Sequence, residues 1–254
     1  MKNFLLKSWN VALRAGLFFI AFSMLLVIVL RWLPVSYTPL MFIRSVQNFG
    51  KESPKPREGI QHKWVSASEI SNHLQLAVIC TEDQNFLRHH GFDFASIQKA
   101  MDEAEDGGRQ RGASTISQQT AKNVFLWPSS SFLRKGFEVW FTVLIELFWN
   151  KQRILEVYLN SVEFGDEIYG CEAASEKFFH KHAGQLTETE SARLAIVLPN
   201  PLKYNAGKLT PYLMRRQNWA LSQIHNWGSV LTFKEADEKV KIGPGKNSTQ
   251  DDTK

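Results

Sequence analysis

The sequence predicts a mainly α-helical domain preceded by a single membrane-spanning helix. Two observations indicate this fold class: an uninterrupted uncharged run covers residues 15–30, and the later apolar residues recur at helical spacing with almost no strand-like alternation. The chain has 254 residues, 44% of them hydrophobic, which suffices for one substantial domain and its anchor. We expect no second large domain.

The apolar run near the N-terminus has the length of a membrane anchor. With Arg14 snorkelling to the interface, residues 11–33 provide the roughly 20 apolar positions that cross about 30 Å of hydrocarbon as a helix. A cleaved signal peptide is the alternative, but no small-x-small cleavage site follows Leu30. Basic residues lie on both sides of the run, so their count does not decide the orientation of the helix.

Changes of composition predict the organisation of the remaining chain. Residues 34–60 carry four prolines and scattered charges, which indicates a linker between the membrane and the folded part. Helical signals then predict a folded domain over residues 61–235. Residues 236–254 are polar and lack periodicity, which predicts a disordered tail.

Net charge and cysteine spacing narrow the chemistry without identifying a function. The formal charge of +5 favours negatively charged partners, which could be nucleic acid, anionic lipid or a phosphorylated substrate. Cys80 and Cys171 lie far apart and show neither metal-ligand nor redox spacing. We therefore expect ordinary buried thiols, and a single disulfide is the alternative.

Two adjacent carboxylates, Glu82 and Asp83, directly follow an apolar segment predicted as a helix over residues 68–80. A carboxylate at the end of a buried element is partly desolvated, which raises its pKa toward a value useful for a general base. The alternative is a solvated helix end with a capping acid. This cluster alone does not separate the two interpretations.

The segment RGASTISQQTAKN (111–123) combines a helix start with amides and a cation. Ser114 or Thr115 can cap the helix that follows. That helix places polar side chains on neighbouring positions: Gln118, Gln119, Lys122 and Asn123. A helix N-terminus beside a lysine suits an anion, whereas a capped surface helix is the alternative. The glycine and lysine order of a nucleotide P-loop is missing, which argues against ATP chemistry.

The segment RKGFE (134–138) opens a long apolar helix predicted over residues 132–149. Lys135 and Glu138 share a helix face, so a surface ion pair worth a few tenths of a kcal/mol is the alternative to a functional role. More large apolar residues lie here than one core requires, which favours a surface that touches lipid. They are Phe132, Leu133, Phe137, Trp140 and Phe141.

The amphipathic segment KQRILEVYLN (151–160) and the LPNP turn (198–201) are better explained by structure than by chemistry. The spacing of the apolar residues predicts a core helix in which Glu156 pairs with Arg153 or otherwise fixes the fold. The prolines indicate a rigid loop. The histidines lack the paired spacing of metal ligands, so we predict no protein-only metal site.

Four strings, taken together in this order, resemble the peptidoglycan glycosyltransferase domain that bifunctional penicillin-binding proteins share with the monofunctional biosynthetic transglycosylases. The strings are EDQNFLRHHGFD (82–93), GASTISQQTAKN (112–123), RKGFE (134–138) and KQRILEVYLN with its glycine-rich extension (151–170). Each string is weak alone, but the joint match is specific. Because we expect no room for a transpeptidase domain, the chain resembles the monofunctional form.

The resemblance implies a lysozyme-like lobe and a smaller membrane-dipping lobe around residues 124–149. It also implies a bacterial inner-membrane protein with residues 1–10 in the cytoplasm and the catalytic domain on the periplasmic side. The implied partners are lipid II, the growing lipid-linked glycan chain and membrane lipid. Other cell-wall synthesis and division proteins are further candidates, and nucleic acid is not implied.

The resemblance also implies roles for individual residues. Glu82 matches the general base that takes the proton from the acceptor's 4-hydroxyl, and Glu138 matches a second glutamate near the donor's phosphate–sugar linkage. The anomeric centre inverts in one displacement as polyprenyl pyrophosphate leaves, and no covalent intermediate is needed. The cations expected to neutralise the leaving group are Lys122, Lys135 and Lys99. The residues expected to position sugar or phosphate oxygens, or the base itself, are Ser114, Gln119, Asn123 and Asp83.

One position departs from the pattern of the family. Many relatives carry an arginine eight residues after the motif lysine, where this chain has Ser130. Either Arg134 or Lys135 replaces that arginine, or the donor binds more weakly. A divalent cation, Mg²⁺ or Mn²⁺, that bridges the pyrophosphate is compatible with this chemistry.

Two other functions compete with glycan polymerisation. A membrane-anchored lysozyme-like hydrolase would use the same fold to cleave the bond, but it needs neither the cations near Glu138 nor the apolar segment beside them. A scaffold of low activity that recruits wall-synthesis partners is the second alternative. Retention of Glu82 and Glu138 argues against the scaffold.

Overall fold

The computed structural model describes residues 2–48, 59–105, 112, 114–228, 231 and 233. The helices are α1 (Lys2–Val29), α2 (Pro39–Asn48), α3 (Asn72–Glu82), α4 (Phe94–Glu105), α5 (Ile116–Phe125), α6 (Phe132–Phe148), α7 (Lys151–Ser161), α8 (Cys171–Phe179), α9 (Glu188–Ala195) and α10 (Pro211–Trp227). The strands are β1 (Gln61–His62), β2 (Glu163–Gly165) and β3 (Ile168–Tyr169). The fold is therefore mainly helical, as the sequence predicts. The predicted tail lies outside the described residues.

Helix α1 contains a segment, Lys7–Val29, that is long and apolar enough to cross a membrane, and it is the one such helix in the described part of the chain. Near its C-terminal end α1 packs against α6. The indole N–H of Trp140 donates to Ser23 Oγ (3.1 Å), and that of Trp149 donates to the carbonyl oxygen of Val27 (2.8 Å). Each indole N–H thus has an acceptor on α1, and α1 and α6 pack together through their apolar side chains.

An arginine from α7 holds the C-terminal end of α1. Arg153 donates through Nη2 to the carbonyl oxygens of Leu30 (2.8 Å) and Leu33, and through Nη1 to Glu156 Oε2 (2.6 Å). Leu30 and Leu33 lie in the turn just after α1, where a cation suits the C-terminal end of the helix dipole. The predicted pairing of Arg153 with Glu156 is confirmed, and the same arginine fastens the anchor to the domain.

A helix lies within the segment for which the sequence predicts a linker. Helix α2 starts at Pro39, which suits the first helical position because proline lacks an N–H and has a fixed φ. Thr38 Oγ1 accepts the N–H of Met41 (3.2 Å), and Met41 is fully buried. Because α2 also packs against α5, the structured part of the chain begins before residue 61. Residues 49–58 lie outside the described residues.

Helix α3 is the central buried element of the domain. Ser71 caps its N-terminus by accepting the N–H of His73 (3.3 Å). Residues 74–80 are all buried, and the helix packs against α9 and α10. A helix with apolar residues on every face requires such a position. Its last residue, Glu82, therefore emerges directly from the core.

The other half of the domain is built from α5, α6 and α7, with α5 packing against both of the others. The rings of Phe125 and Phe141 stack with centroids 4.4 Å apart. Phe141 is buried by this contact, and α1 partly covers Phe137 and Trp140. Only part of the apolar surface that the sequence predicts on α6 is therefore exposed.

The short strands form a sheet in the order β1-β3-β2, with β1 parallel and β2 antiparallel to β3. Gly170 follows β3 with φ 81°, and a Cβ atom there would lie 2.8 Å from the carbonyl oxygen of Asn160. Only glycine fits this position. Asn160 in turn accepts the N–H of Val65 and donates to its carbonyl oxygen, both at 2.9 Å. The glycine-rich extension after α7 thus has the structural role that the sequence favours.

Cys80 and Cys171 are both free and buried. Burial raises the pKa of Cys80 to about 12 and raises that of Cys171 as well. The prediction of ordinary buried thiols is confirmed.

Candidate active site

One cleft, made of three adjoining cavities, contains most of the residues singled out in the sequence. The first cavity, about 180 Å³, is lined by Glu82, Asp83 and residues of α4. The central cavity, about 780 Å³, shares Glu82 with the first and extends to Lys122 and α10. The cationic cavity, about 400 Å³, shares Lys122 with the central one and extends to Arg134 and α2. Glu82 and Lys122 thus mark the two junctions of a continuous cleft.

Glu82 lies at the C-terminal end of α3, against the amide of a glutamine from α5. Gln119 Nε2 donates to Glu82 Oε2 (3.0 Å), and the hydroxyl of the fully buried Tyr158 donates to Gln119 Oε1 (3.2 Å), which fixes the orientation of the amide. Burial raises the pKa of Glu82, whereas the Gln119 hydrogen bond and the charges of Arg216 and Lys122 oppose the rise. The carboxylate is therefore a stronger base than an exposed glutamate.

Asp83 joins the end of α3 to the start of α5. Its Oδ2 accepts the backbone N–H of Ile116 (3.0 Å), and its Oδ1 is 2.9 Å from His89 Nε2. The N–H of Ile116 is one of the four that a helix leaves without an internal partner, and the carboxylate suits that end of the dipole. Asp83 is buried and orients the two helices that carry Glu82 and Gln119.

The N-terminus of α5 is held by a capping box and by the turn that follows Asp83. Thr115 Oγ1 accepts the N–H of Gln118 (3.2 Å), and Gln118 Oε1 accepts the N–H of Thr115 (3.0 Å). Thr115 Oγ1 also donates to the carbonyl oxygen of Gly91 (2.6 Å). Of the two caps that the sequence allows, Thr115 is the one used, and Ser114 instead lines the first and central cavities.

Lys122 and Asn123 lie one turn beyond Gln119 on α5. Lys122 lines both the central and the cationic cavity, and Asn123 lines the cationic cavity. The surrounding protein lowers the pKa of Lys122 by desolvation, and the charge of Glu138 acts in the opposite direction. Lys122 is nevertheless accessible from the cleft, so its ammonium can meet an anion there.

Glu138 is buried on α6, with only 3% of its surface exposed, and two cations hold it. Arg134 Nη1 donates to one carboxylate oxygen (2.6 Å), and Lys135 Nζ donates to the other. Arg134 is mostly buried and lines the cationic cavity, whereas 46% of the Lys135 side chain is exposed. The pair is therefore not the plain surface ion pair that the sequence allowed as an alternative.

Lys99 is separated from the other predicted cations. It lies on the exposed face of α4 and lines the first cavity, on the far side of Glu82 from Lys122 and Arg134. The family resemblance implied that Lys99 acts with Lys122 and Lys135 to neutralise the pyrophosphate leaving group. The structure assigns it to a different part of the cleft.

Sequence reasoning missed several residues of the cleft wall, among them Arg216 and Trp219 of α10 and the charged Arg44 and Glu163 of the cationic cavity. Leu198 and Pro199 of the loop predicted to be rigid also line the central and cationic cavities. The amphipathic pattern of α10 shows that its polar face is solvent-accessible, but nothing local indicates that this face meets Glu82. Only the packing of α10 against α3 brings them together.

The flank of α6 next to the cationic cavity exposes large apolar side chains. Phe132 is 96% exposed, Leu133 and Leu147 are each 68% exposed, and Trp127, which lines the cationic cavity, is 40% exposed. Large exposed apolar side chains on a helix that packs against one long enough to span a bilayer are typical of a lipid-facing region.

Outside the cleft, the described residues contain one group of three potential metal ligands, Glu172, Glu176 and His182. Lys63 Nζ lies 3.1 Å from Glu172 Oε1 and 2.8 Å from Glu176 Oε1, so a lysine already pairs with both carboxylates. None of the three ligands lines any of the three cavities.

Comparison with known proteins identifies the family. The family model described as transglycosylase matches residues 50–225. A biosynthetic peptidoglycan transglycosylase of Bacteroides thetaiotaomicron is 55% identical over 205 residues, which cover 81% of this chain and 82% of that protein. The chain belongs to the transglycosylase family.

Other relatives of the same name cover still more of the chain. The transglycosylase of Xanthomonas campestris pv. campestris is 48% identical over 222 residues (87% of this chain, 89% of that protein). That of Pseudomonas putida is 44% identical over 229 residues (90% and 96%). The family predicted from the four strings is confirmed, together with its mainly α, lysozyme-like fold class and its enzyme class, a peptidoglycan glycosyltransferase. The roles of individual residues in this transglycosylase stay predictions.

Proposed function

We propose that this peptidoglycan glycosyltransferase joins lipid II units into β-1,4-linked glycan strands with Glu82 as the general base. The observation that supports this most strongly is the position of Glu82 in the cleft. It faces a neutral amide in the central cavity, and the cations Lys122 and Arg134 line the adjoining cationic cavity. A base beside the acceptor and cations beside a phosphorylated donor are what this transfer requires.

In the proposed reaction the 4-hydroxyl of the acceptor's N-acetylglucosamine lies against Glu82. The ionised carboxylate takes the hydroxyl proton as the oxygen attacks C1 of the donor's N-acetylmuramic acid. The bond from C1 to the pyrophosphate oxygen breaks, and the electron pair leaves with the polyprenyl pyrophosphate. One displacement inverts the anomeric centre from α to β, and Glu82 then returns its proton to water. The raised pKa of Glu82 brings its base strength closer to the operating pH.

The cationic cavity would bind the donor's pyrophosphate. Lys122 and Arg134 line it, and Asn123 adds an amide donor. Glu138 is already engaged by two cations, so we assign it the role of holding Arg134 and Lys135 in place rather than of contacting the sugar. This refines the expectation that Glu138 acts directly at the phosphate–sugar linkage.

Of Arg134 and Lys135, Arg134 is the better placed to replace the arginine that many relatives carry at position 130, because only Arg134 lines the cationic cavity. Ser130 is exposed and does not line the cavities, whereas Arg134 lines the cationic cavity. Mg²⁺ or Mn²⁺ at the pyrophosphate would rely mainly on phosphate oxygens, since Glu138 is already paired with two cations and Glu163, which also lines the cationic cavity, lies near Arg44.

A hydrolase is less well supported than a transferase. Hydrolysis with inversion needs two carboxyl groups, a general acid and a general base that activates water, so Glu82 alone would not suffice. Glu138 is buried between two cations and is not free for that role. A scaffold without activity is also less well supported, because the cleft is formed and Gln119 holds Glu82 within it.

The membrane would deliver the donor and acceptor lipids. Helix α1 and the exposed flank of α6 place apolar surface beside the cationic cavity, where a polyprenyl chain would approach. We propose the periplasmic side of the bacterial inner membrane for the catalytic domain, with residues 1–10 in the cytoplasm. Other cell-wall synthesis and division proteins are candidate partners.

The test is polymerisation of fluorescent lipid II by the full chain purified in detergent, with the products resolved on a gel and digested with muramidase. We expect long muramidase-sensitive strands from the wild type and from the control Glu105→Gln, an exposed glutamate outside the cleft. Glu82→Gln should make none. Absence of polymer from folded wild-type protein, or shortening of added glycan strands, would favour the scaffold or the hydrolase instead.

A further inference from the structure

We propose that α2 lies in the membrane interface, with an apolar stripe on its exposed side inserted among the lipids and its opposite side closing the cationic cavity. The stripe consists of Pro39, Phe42, Ile43 and Val46. The helix lies outside residues 50–225, which match the family model, so this role does not come with the transglycosylase domain. Contact with lipid is measured without turnover, so its outcome is independent of the proposed function.

Helix α2 has two sides with different surroundings. The stripe residues follow one another at i, i+3, i+4 and i+7, which places them along one side of the helix. Phe42 is 69% exposed and Val46 is 58% exposed. Met41, on the opposite side, is fully buried, and α2 packs against α5. The contact with the domain therefore leaves the stripe exposed.

The stripe begins close to the point where the anchor leaves the membrane. The membrane-spanning segment ends at Val29, and Arg153 holds the carbonyl oxygen of Leu33 shortly after it. Pro39 follows Leu33 by six residues, which span at most about 20 Å when fully extended. Val35, between them, is buried. The first turn of α2 is thus tied to the membrane end of the domain.

Aromatic residues mark the segment between the anchor and α2 as interfacial. Trp32 is 69% exposed just after the anchor, and Tyr37 is 79% exposed just before α2. The guanidinium carbon of Arg31 lies 5.4 Å from the centroid of the Trp32 ring. Exposed tryptophan and tyrosine rings beside a long cationic side chain are typical of the headgroup level of a bilayer. This segment therefore leads into α2 at the depth of the headgroups.

The opposite side of α2 forms a wall of the cationic cavity. Leu40 and Arg44 line this cavity from α2, and Trp127 lines it from the loop before α6. Helix α6 itself exposes Phe132 and packs against α1. Apolar surface therefore lies on two sides of one cavity, on the stripe of α2 and on the flank of α6. A lipid layer in contact with both would place the mouth of the cavity at the depth of lipid phosphates.

A bilayer surface fits the stripe better than a partner protein does. The four side chains of the stripe cover far less than the roughly 800 Å² that each partner buries in a stable protein–protein interface. A narrow apolar stripe parallel to the membrane surface is instead how interfacial helices bind, with insertion to a depth of about 5–10 Å. The neighbouring anchor already holds the helix at the bilayer, so a small apolar area suffices.

Depth-dependent fluorescence quenching tests the contact. The full chain carries one new cysteine, Phe42→Cys or Val46→Cys, labelled with a nitrobenzoxadiazole dye, in nanodiscs of phosphatidylethanolamine and phosphatidylglycerol. The native thiols Cys80 and Cys171 are buried, and the wild-type chain measures any background labelling. We expect nitroxide lipids labelled near the headgroup to cause a large loss of fluorescence at both positions, and aqueous iodide to cause little.

Two matched positions calibrate the depth. Gln47→Cys is next to Val46 but off the stripe, so its label should be quenched mainly by iodide. Leu25→Cys, at an exposed position of α1, should be quenched most by a nitroxide deep in the acyl chain. Labels on the stripe that iodide quenches as strongly as the label at Gln47→Cys would overturn the inference. Labels protected from both quenchers would also overturn it, since a protein would then cover the stripe.

A charge on the stripe separates insertion from mere proximity to lipid. Phe42→Asp makes insertion costly, so the label at Val46→Cys should change from lipid quenching to iodide quenching. Gln47→Asp adds the same charge off the stripe and should leave that label unchanged. Thermal unfolding of both variants should match the wild type, because both positions are exposed. If the label at Val46→Cys kept its lipid quenching in the Phe42→Asp variant, the stripe would not be what holds α2 in the membrane.

Discussion

Glu82, which lines the cleft, and Glu138, which lies behind its cationic wall, are placed in opposite environments. Glu82 lies at the C-terminal end of the buried helix α3 and accepts one hydrogen bond from the neutral amide of Gln119. Glu138 is almost fully buried and is held by two cations, Arg134 and Lys135. One carboxylate is left available to take a proton, and the other is committed to organising positive charge. Environment rather than residue type thus divides the work between them.

The two environments also have opposite effects on stability. Burial raises the pKa of Glu82, so its ionised form is less favourable in the folded chain than in the unfolded chain at neutral pH. For Glu138, the buried carboxylate and its two cations depend on each other, and removal of one leaves the others uncompensated. The ionised carboxylate of Glu82 therefore lowers the stability of the fold. At Glu138, it is the removal of the carboxylate that would lower stability.

The largest expected effect separates the two glutamates by activity. Glu82→Gln removes the base but keeps the shape and a hydrogen-bonding group, so kcat should fall about 10²- to 10⁴-fold. The melting temperature should stay equal to that of the wild type or rise, because an unfavourable charge is gone. Initial rates of lipid II polymerisation and thermal unfolding of the same preparation check both. A large fall in melting temperature would mean that Glu82 is a structural residue.

The second effect is on stability and belongs to Glu138. Glu138→Gln leaves Arg134 and Lys135 without their carboxylate, and loss of one partner of a buried ion pair costs about 3–5 kcal/mol. The exposure of Lys135 places the expected loss at the lower end of that range. Thermal unfolding beside the control Glu105→Gln measures it. If Glu138→Gln were as stable as the control and lost all activity, Glu138 would be a direct participant in the chemistry.

The third effect is a shift of the pH profile through Gln119. The base acts in its ionised form, so activity falls as the pH drops through the pKa of Glu82. Gln119→Leu removes a hydrogen bond that lowers this pKa, so the acid limb of kcat/KM should move to higher pH. Tyr158→Phe keeps the amide but frees its orientation, so it should give a smaller shift in the same direction. A shift to lower pH would contradict the assignment of the base.

The smallest effect distinguishes the two cations of Glu138. Lys135→Gln removes a half-exposed partner and should cost about 0.2–1 kcal/mol, the range of surface pairs. Arg134→Gln removes the more buried partner and should cost more. Unfolding midpoints of the two variants, measured side by side, give the ranking. Equal losses would indicate that Lys135 is as buried in solution as Arg134.

The sequence predicts those parts of the site that depend on local signals. Helices α6 and α7 end within a residue of their predicted bounds, and the capping of α5 follows from the Ser-Thr pair before it. The apolar segment before Glu82 predicts a buried helix with a carboxylate at its end, and α3 has that form. Such features depend on spacing and capping within a few residues.

Other parts of the site depend on contacts between distant segments. The entry of Arg216 into the cleft depends on α10 packing against α3, and the bond from Asp83 to the N–H of Ile116 depends on α3 meeting α5. The prolines that favour a linker also allow a helix to start at Pro39, and burial of Met41 stabilises that helix. Pattern alone does not contain these tertiary contacts.

The most direct measurement is the titration of Glu82 itself beside the pH dependence of the reaction. Glutamate labelled with ¹³C at the side-chain carboxyl, assigned by the signal missing from Glu82→Gln, gives the pKa of Glu82 by NMR in the same detergent used for the assay. We expect this pKa to lie above that of an ordinary glutamate and to coincide with the midpoint of the acid limb of kcat/KM, and both to move together in Gln119→Leu. A midpoint that lies more than about one unit from the pKa of Glu82, or that fails to follow it in Gln119→Leu, would show that another group is the base.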